Sequence, residues 1–153
     1  MAIELRPYQE SDWPRLCAIH DRARLDELRG SVDLAAFLTL EQTAQTEGLF
    51  DGEVWVADDG GNVVGFVAVS DDEISWLYVD RARYRQGIGR KLLRHAISRC
   101  GGAATVEVLA GNIAAIRLYQ GEGFTIRETR QGRLTGNEQF AATGHIMVRE
   151  QQP

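Results

Sequence analysis

The chain has 153 residues, 44% of them hydrophobic and 25% charged, which suits one globular domain, spanning 1–153, with a sizeable buried core. Its net charge of −5 argues against phosphate-backbone binding as the main activity, so no nucleic-acid partner is expected. No apolar run has signal-peptide or membrane-spanning length, which points to a cytoplasmic protein with no membrane partner.

Residues 3 to 6 alternate like a short strand, and Ser11 or Asp12 before Trp13-Pro14 reads as a helix start, with the helix running to about Leu25. A second helical pattern spans about Leu34 to Ala44. Cys17 and Cys100 lack CxxC spacing and read as buried free thiols, although His20, three residues after Cys17, raises a thiol–imidazole pair on spacing alone. From Glu53 the period changes. Residues 54–57, a turn at Asp58 to Asn62, and residues 63–69 form a hairpin, and Ile74 to Val79 is a third strand, apolar on both faces and therefore central. Ile88, Leu92, Leu93, Ala96, Ile97 and Cys100 recur at helical spacing, opposite Arg90, Lys91 and Arg94, and Gly101-Gly102 end that helix. Thr105 to Leu109 is a strand, Asn112 caps a helix through about Tyr119, and strands follow over Phe124 to Arg130 and roughly Gln139 to Arg149. Strands flanking helices pair in parallel and hairpins antiparallel, so the sheet is expected to be mixed.

Arg81, Arg83, Arg85, Arg90, Lys91 and Arg94 crowd one stretch of an acidic molecule, which suggests a local anion site. Gly87 and Gly89 lie in it, between the buried strand and the amphipathic helix, where backbone N–H groups and the helix dipole can face a phosphate. A tight strand-to-helix turn would also favour glycine, with the arginines a solvated face. Neither the GxxxxGK[ST] phosphate loop nor the three-glycine dinucleotide fingerprint is present.

Trp76-Leu77-Tyr78-Val79-Asp80, then Arg85-Gln86-Gly87-Ile88-Gly89-Arg90-Lys91-Leu92-Leu93, then Asn112, Ala115, Leu118-Tyr119 and Gly123-Phe124 resemble the successive signatures of the GNAT N-acetyltransferases. The resemblance covers about 53–130 well and the flanks in outline. It implies an α/β (α+β) fold: a mixed, mostly antiparallel sheet of about seven strands, splayed in the middle and flanked by about four helices. It further implies acetyl-CoA as co-substrate, with the pantetheine arm along Leu77, Tyr78 and Val79. The pyrophosphate would lie on the amides of Arg85, Gln86, Gly87, Ile88, Gly89 and Arg90, beside Tyr84. Asn112 would contact the cofactor, Tyr119 would protonate the departing thiolate, and the Val79 amide would stabilise the oxyanion. Two positions depart from the family pattern: Tyr84 replaces the usual Gln or Arg, and Arg81 stands where proline is common.

No cluster has metal-ligand spacing, so no metal is expected. The family pattern does not name a base. Glu73 is the first candidate, through water, with His20, Glu27 and His145 as the others, and His95 is expected at the surface. The acceptor is expected to be a small-molecule amine; a protein or peptide amine, or a non-catalytic acyl-CoA sensor, are the alternatives, and a homodimer stays open. Specificity would be built by residues 26–49 and 132–137 and the last strands. Acidic residues at 26, 27, 33, 71, 72 and 73 suit a cationic amine or a plain solvated surface.

Overall fold

Edge strand β1 (Ile3–Pro7) opens the computed structural model, which describes residues 2–151. From this strand Arg6 donates to both carboxylate oxygens of Asp12 and to Asp58, each at 2.9 Å, while Asp12 also accepts the Gln9 N–H at 2.9 Å. The Arg6 guanidinium holds the buried Asp12 carboxyl below the usual range. A carboxyl depressed in the folded state stabilises above its unfolded value near pH 4, and that contribution is lost as pH falls through the lower folded value. Asp12→Ala is expected to cost about 2 kcal/mol in urea denaturation at pH 7, a penalty that shrinks on acidification; an equal penalty at pH 7 and pH 2.5 would refute the ion pair as its source.

Helix α1 (Trp13–Leu28) carries Pro14 in its first turn and buries Leu16, Ile19 and Ala23 against the sheet. It continues past Leu25 because Leu28, fully buried, packs with Ala36 and Leu134. The expected helix over 34–44 is replaced by a 3-10 turn (Leu34–Ala36) and a single-turn helix α2 (Leu40–Thr43). The cause is local. Asp33 accepts the Ala35 N–H, and Thr39 with Gln42 forms a reciprocal capping box, so two caps within one apolar run divide it.

Strands β2 (Glu53–Asp59), β3 (Asn62–Ser70) and β4 (Glu73–Val79) form an antiparallel meander. Beyond it lie β5 (Ala104–Leu109), β6 (Thr125–Arg133) and β7 (Ala141–Arg149), in the sheet order β1-β2-β3-β4-β5-β7-β6. Only β4 and β5 pair in parallel; the other neighbours are antiparallel. Helices α3 (Ile88–Ser98) and α4 (Ile113–Gly121) cover one face around Val64, Leu92, Leu93, Val106 and Met147. On the other face α1 and α2 pack on Val56, Phe66 and Ala68. The expected mixed seven-stranded sheet with about four helices is therefore the fold observed. No described helix is long and apolar enough to cross a membrane.

Candidate active site

In β4 the pairs Ala68↔Ser75 and Phe66↔Tyr78 leave two residues, Trp76 and Leu77, opposite the single Val67. This is a β-bulge, and Trp76 takes φ 55°, a left-handed conformation that an aromatic residue adopts only at a cost of about 1–2 kcal/mol. Regular alternation would put Ile74, Trp76 and Tyr78 on one face. Instead Ile74, Leu77 and Val79 join the α3 side, while Trp76 and Tyr78 turn to α1. The bend also parts β4 from β5, whose ladder holds only Glu73↔Thr105. Asp80 donates to Val64 at 2.8 Å, so ladder alternation directs the N–H groups of Val79 and Leu77 away from β3, toward the gap.

Next comes the basic loop. Asp80 accepts the Ala82 N–H at 3.0 Å and shapes a 3-10 turn over Arg81–Arg83. Arg85 (φ 64°) and Gly87 (φ 81°) then reverse the chain into α3, leaving residues 84–87 exposed. A left-handed N-cap explains glycine at 87. The arginines, however, do not form one free cationic patch. Arg81 pairs with Asp26, Arg83 with Asp59, and Arg90 and Arg94 both pair with Glu122. Arg85 forms no ion pair among the described residues. An anion here would meet Arg85, the exposed amides and the helix dipole. Gln86 accepts from Arg83, and Tyr84 donates to Asp26, so neither of these two side chains is aimed freely at solvent.

Asn112 caps α4 through Ala115 N–H at 3.3 Å. Tyr119, 8% exposed, packs on Phe124 and lines the cleft; burial and the negative charge of Glu27 push its phenol up, so it stays protonated. Across the cleft, Glu27 accepts from the Tyr78 hydroxyl at 2.8 Å and pairs with Arg24. His20 is buried beside Tyr78, with Nδ1 2.9 Å from Asp21, and burial lowers it so that the ring is neutral at pH 7. His145 Nδ1 is 2.8 Å from the Thr129 hydroxyl.

Of the four base candidates, Glu73 alone has a side chain without a hydrogen bond within the described residues. It stands at the mouth of the splay, where burial and the charge of Glu107 raise its carboxyl above the usual range. Residues Glu73 and Val79 are six apart on one strand, about 20 Å when extended, so Glu73 reaches a carbonyl beside the gap only through water or through Glu107. Sequence reasoning missed Glu107. The available signal was a lone charge alternating with Val106 and Val108 in a short apolar strand.

His95, expected at the surface, is half-buried: among the described residues its Nε2 is buried without a partner, and the ring packs 4.2 Å from Trp55. Burial raises both Cys17 and Cys100, so neither is an activated thiol. The acids at 26, 33 and 72 are spent on Arg81, on Ala35, and on the N–H groups of Gly101 and Gly102.

The cleft, about 960 Å³, is roofed where the two segments expected to set specificity meet. Leu28 and Ala36 pack on Leu134, and the Asn137 amide donates to Ala36 O at 2.9 Å. Glu47, partly buried in this wall and raised by burial, was also missed. It lies within the 26–49 segment, but nothing in its neighbourhood of sequence distinguishes it from a surface acid.

The profile of the acetyltransferase (GNAT) domain matches residues 50–126, which hold the bulged strand and the amide-rich turn. The chain belongs to the GNAT acetyltransferases. It is 29% identical over 132 residues to the uncharacterized N-acetyltransferase YafP of Escherichia coli K12, covering 84% of this chain and 85% of that one. To the peptidyl-lysine N-acetyltransferase YjaB of Salmonella typhimurium it is 28% identical over 127 residues, 82% and 86% of the two chains. The fold matches a GCN5-related N-acetyltransferase from Rhodopseudomonas palustris with a TM-score of 0.76 at 18% identity, over 99% of each chain. This GNAT acetyltransferase is thus an acyltransferase that uses acetyl-CoA to acetylate an amine.

Proposed function

We propose that this acetyltransferase acts on a primary amine of a small molecule by direct transfer. The observation that carries this is the roofed cleft, which opens onto backbone N–H groups facing a gap between strands. Acetyl-CoA supplies the acyl carbon and a thiolate leaving group. The amides of Gln86 to Arg90, with Arg85, hold its pyrophosphate; Leu77 and Val79 line its arm, and Asn112 flanks it from the first turn of α4. Both strand amides face the gap. Val79 is the oxyanion donor the family resemblance implies, but Leu77 stands two residues nearer the carboxylates. We assign the developing oxyanion to Leu77 N–H and the arm to Val79 N–H.

An alkyl ammonium with a pKa near 10.4 is neutral in only about one molecule in 2,500 at pH 7, a penalty of about 4.6 kcal/mol. Proton removal therefore matters most, and Glu73 takes the proton through water, with Glu107 along the path. A thiol with a pKa near 8.5 leaves readily, so the Tyr119 hydroxyl contributes less. Tyr119→Phe is expected to lower turnover about tenfold with acetyl-CoA affinity within about twofold; an unaltered rate from pH 6 to pH 9 would remove the acid role.

A peptide amine is the second reading, favoured by the similarity to a peptidyl-lysine acetyltransferase. Thiol release from acetyl-CoA with polyamines, aminoglycosides, amino acids and short peptides separates the two. Release with polyamines, aminoglycosides or free amino acids supports the small-molecule reading, and release confined to peptides overturns it.

A further inference from the structure

Both departures from the family's loop pattern end on one carboxylate. Asp26, in the last turns of α1, accepts Arg81 Nε at 3.0 Å, Arg81 Nη2, the Tyr84 hydroxyl at 3.0 Å and Arg29 Nη1 at 3.1 Å. Arg81 opens the 3-10 turn and Tyr84 immediately precedes Arg85, which with Gly87 takes the left-handed conformation where the loop enters α3. The same helix also holds the residue that caps this turn, where Arg15 pairs with Asp80. Asp26 is also next to Glu27, which holds Tyr78 of the bulged strand. One helix thus fixes the entry to the phosphate loop and one wall of the cleft.

We propose that Asp26 is a positioning residue for acetyl-CoA, which presets the phosphate loop by anchoring Arg81 and Tyr84. In a more typical loop, proline stiffens the first of these positions and a Gln or Arg side chain occupies the second. Here a carboxylate on a neighbouring helix supplies the stiffness through charge-assisted hydrogen bonds. The competing role is a simple charge sink. If Asp26 merely neutralised Arg81, its removal would free a cation beside the anion site and tighten binding. The two roles predict opposite signs.

This inference rests on the phosphate-loop assignment above. Titration calorimetry of the full chain with acetyl-CoA is expected to show Asp26→Asn weakening binding about tenfold and Tyr84→Phe, which removes one oxygen from an exposed ring, about threefold. Asp26→Glu, which keeps the carboxylate, is expected to recover most of the loss. S-acetylpantetheine, which lacks the pyrophosphate, is the control, followed by NMR titration, and its affinity for Asp26→Asn is expected to match the parent protein. Unchanged or tighter acetyl-CoA binding by Asp26→Asn would overturn the proposal, and so would equal losses for both ligands, which signal general loosening. If Gly87→Val/Gly89→Val abolishes binding while Asp26→Asn does not weaken it, the positioning role fails and the phosphate-loop assignment stands. If the glycine variant also binds normally, both fail.

Discussion

Gly87→Val/Gly89→Val is expected to raise the acetyl-CoA dissociation constant by about 150-fold, the equivalent of two charge-assisted hydrogen bonds lost at about 3 kcal/mol together. The two positions act differently. At Gly87 no atom lies within 4 Å of where a Cβ would stand, so crowding is not the obstacle; the obstacle is φ 81°, which a β-branched residue resists. Relief requires rotation of the peptides on either side, and those peptides carry the N–H groups that face the anion. At Gly89 a Cβ would sit 3.6 Å from both Val79 and Leu118 side chains, an ordinary contact, so a single methyl is tolerated. The extra methyls of valine reach into the space between β4 and α4. Gly89→Ala alone is accordingly expected to stay within about threefold of the parent protein, by its ordinary contact distances. The apolar face of α3 that buries Ile88, Leu92, Leu93 and Ala96 is unchanged, so the fold should persist. Titration calorimetry showing parent-like affinity for the double variant would refute the phosphate-loop assignment.

Glu73→Gln is expected to lower turnover about a hundredfold at pH 7 and to remove the acidic limb of the pH–rate profile. A base works in its deprotonated form. Because burial and Glu107 raise the Glu73 carboxyl, the parent rate should fall on acidification at a pH above the ordinary glutamate range. Removing the neighbouring charge with Glu107→Gln should therefore move that limb to lower pH. If the limb survives in Glu73→Gln and disappears in Glu107→Gln, the proton goes directly to Glu107, which lines the cleft from β5. If it survives in both, neither carboxylate is the base.

Where the sequence was not enough, one cause is local and the others are tertiary. The run at 34–44 has helical periodicity, yet Asp33 and Thr39 are capping residues, and their local hydrogen bonds outweigh a short apolar stripe. The basic stretch at 81–94 read as a local anion site or a solvated face, and the sequence did not show that four of its six cations pair with Asp26, Asp59 and Glu122, carboxylates 24 to 55 positions away from their arginine partners. Tyr84 read only as a departure from the family pattern beside the phosphate loop; its hydrogen bond to Asp26 of α1 was not legible. His95, expected at the surface from its place on α3, is half-buried because its ring packs edge-on against Trp55 of β2.

By itself the sequence determined the family and every strand and α-helix outside residues 26–49. The 3.6-residue stripe of α3, the strand alternation, the Asn112 cap and the glycines at 87 and 89 all express preferences of residues close together in the chain, where sterics and backbone hydrogen bonding decide. Only the tertiary structure decided which carboxylates are free to act. Glu27 and Asp26 lie side by side in sequence, yet one is occupied by Tyr78 and Arg24 and the other by Arg81, Tyr84 and Arg29, while Glu73 and Glu107 line the cleft together, beside a splay that follows the left-handed Trp76. A charge is compensated by whatever surface folds against it, and that surface comes from distant parts of the chain.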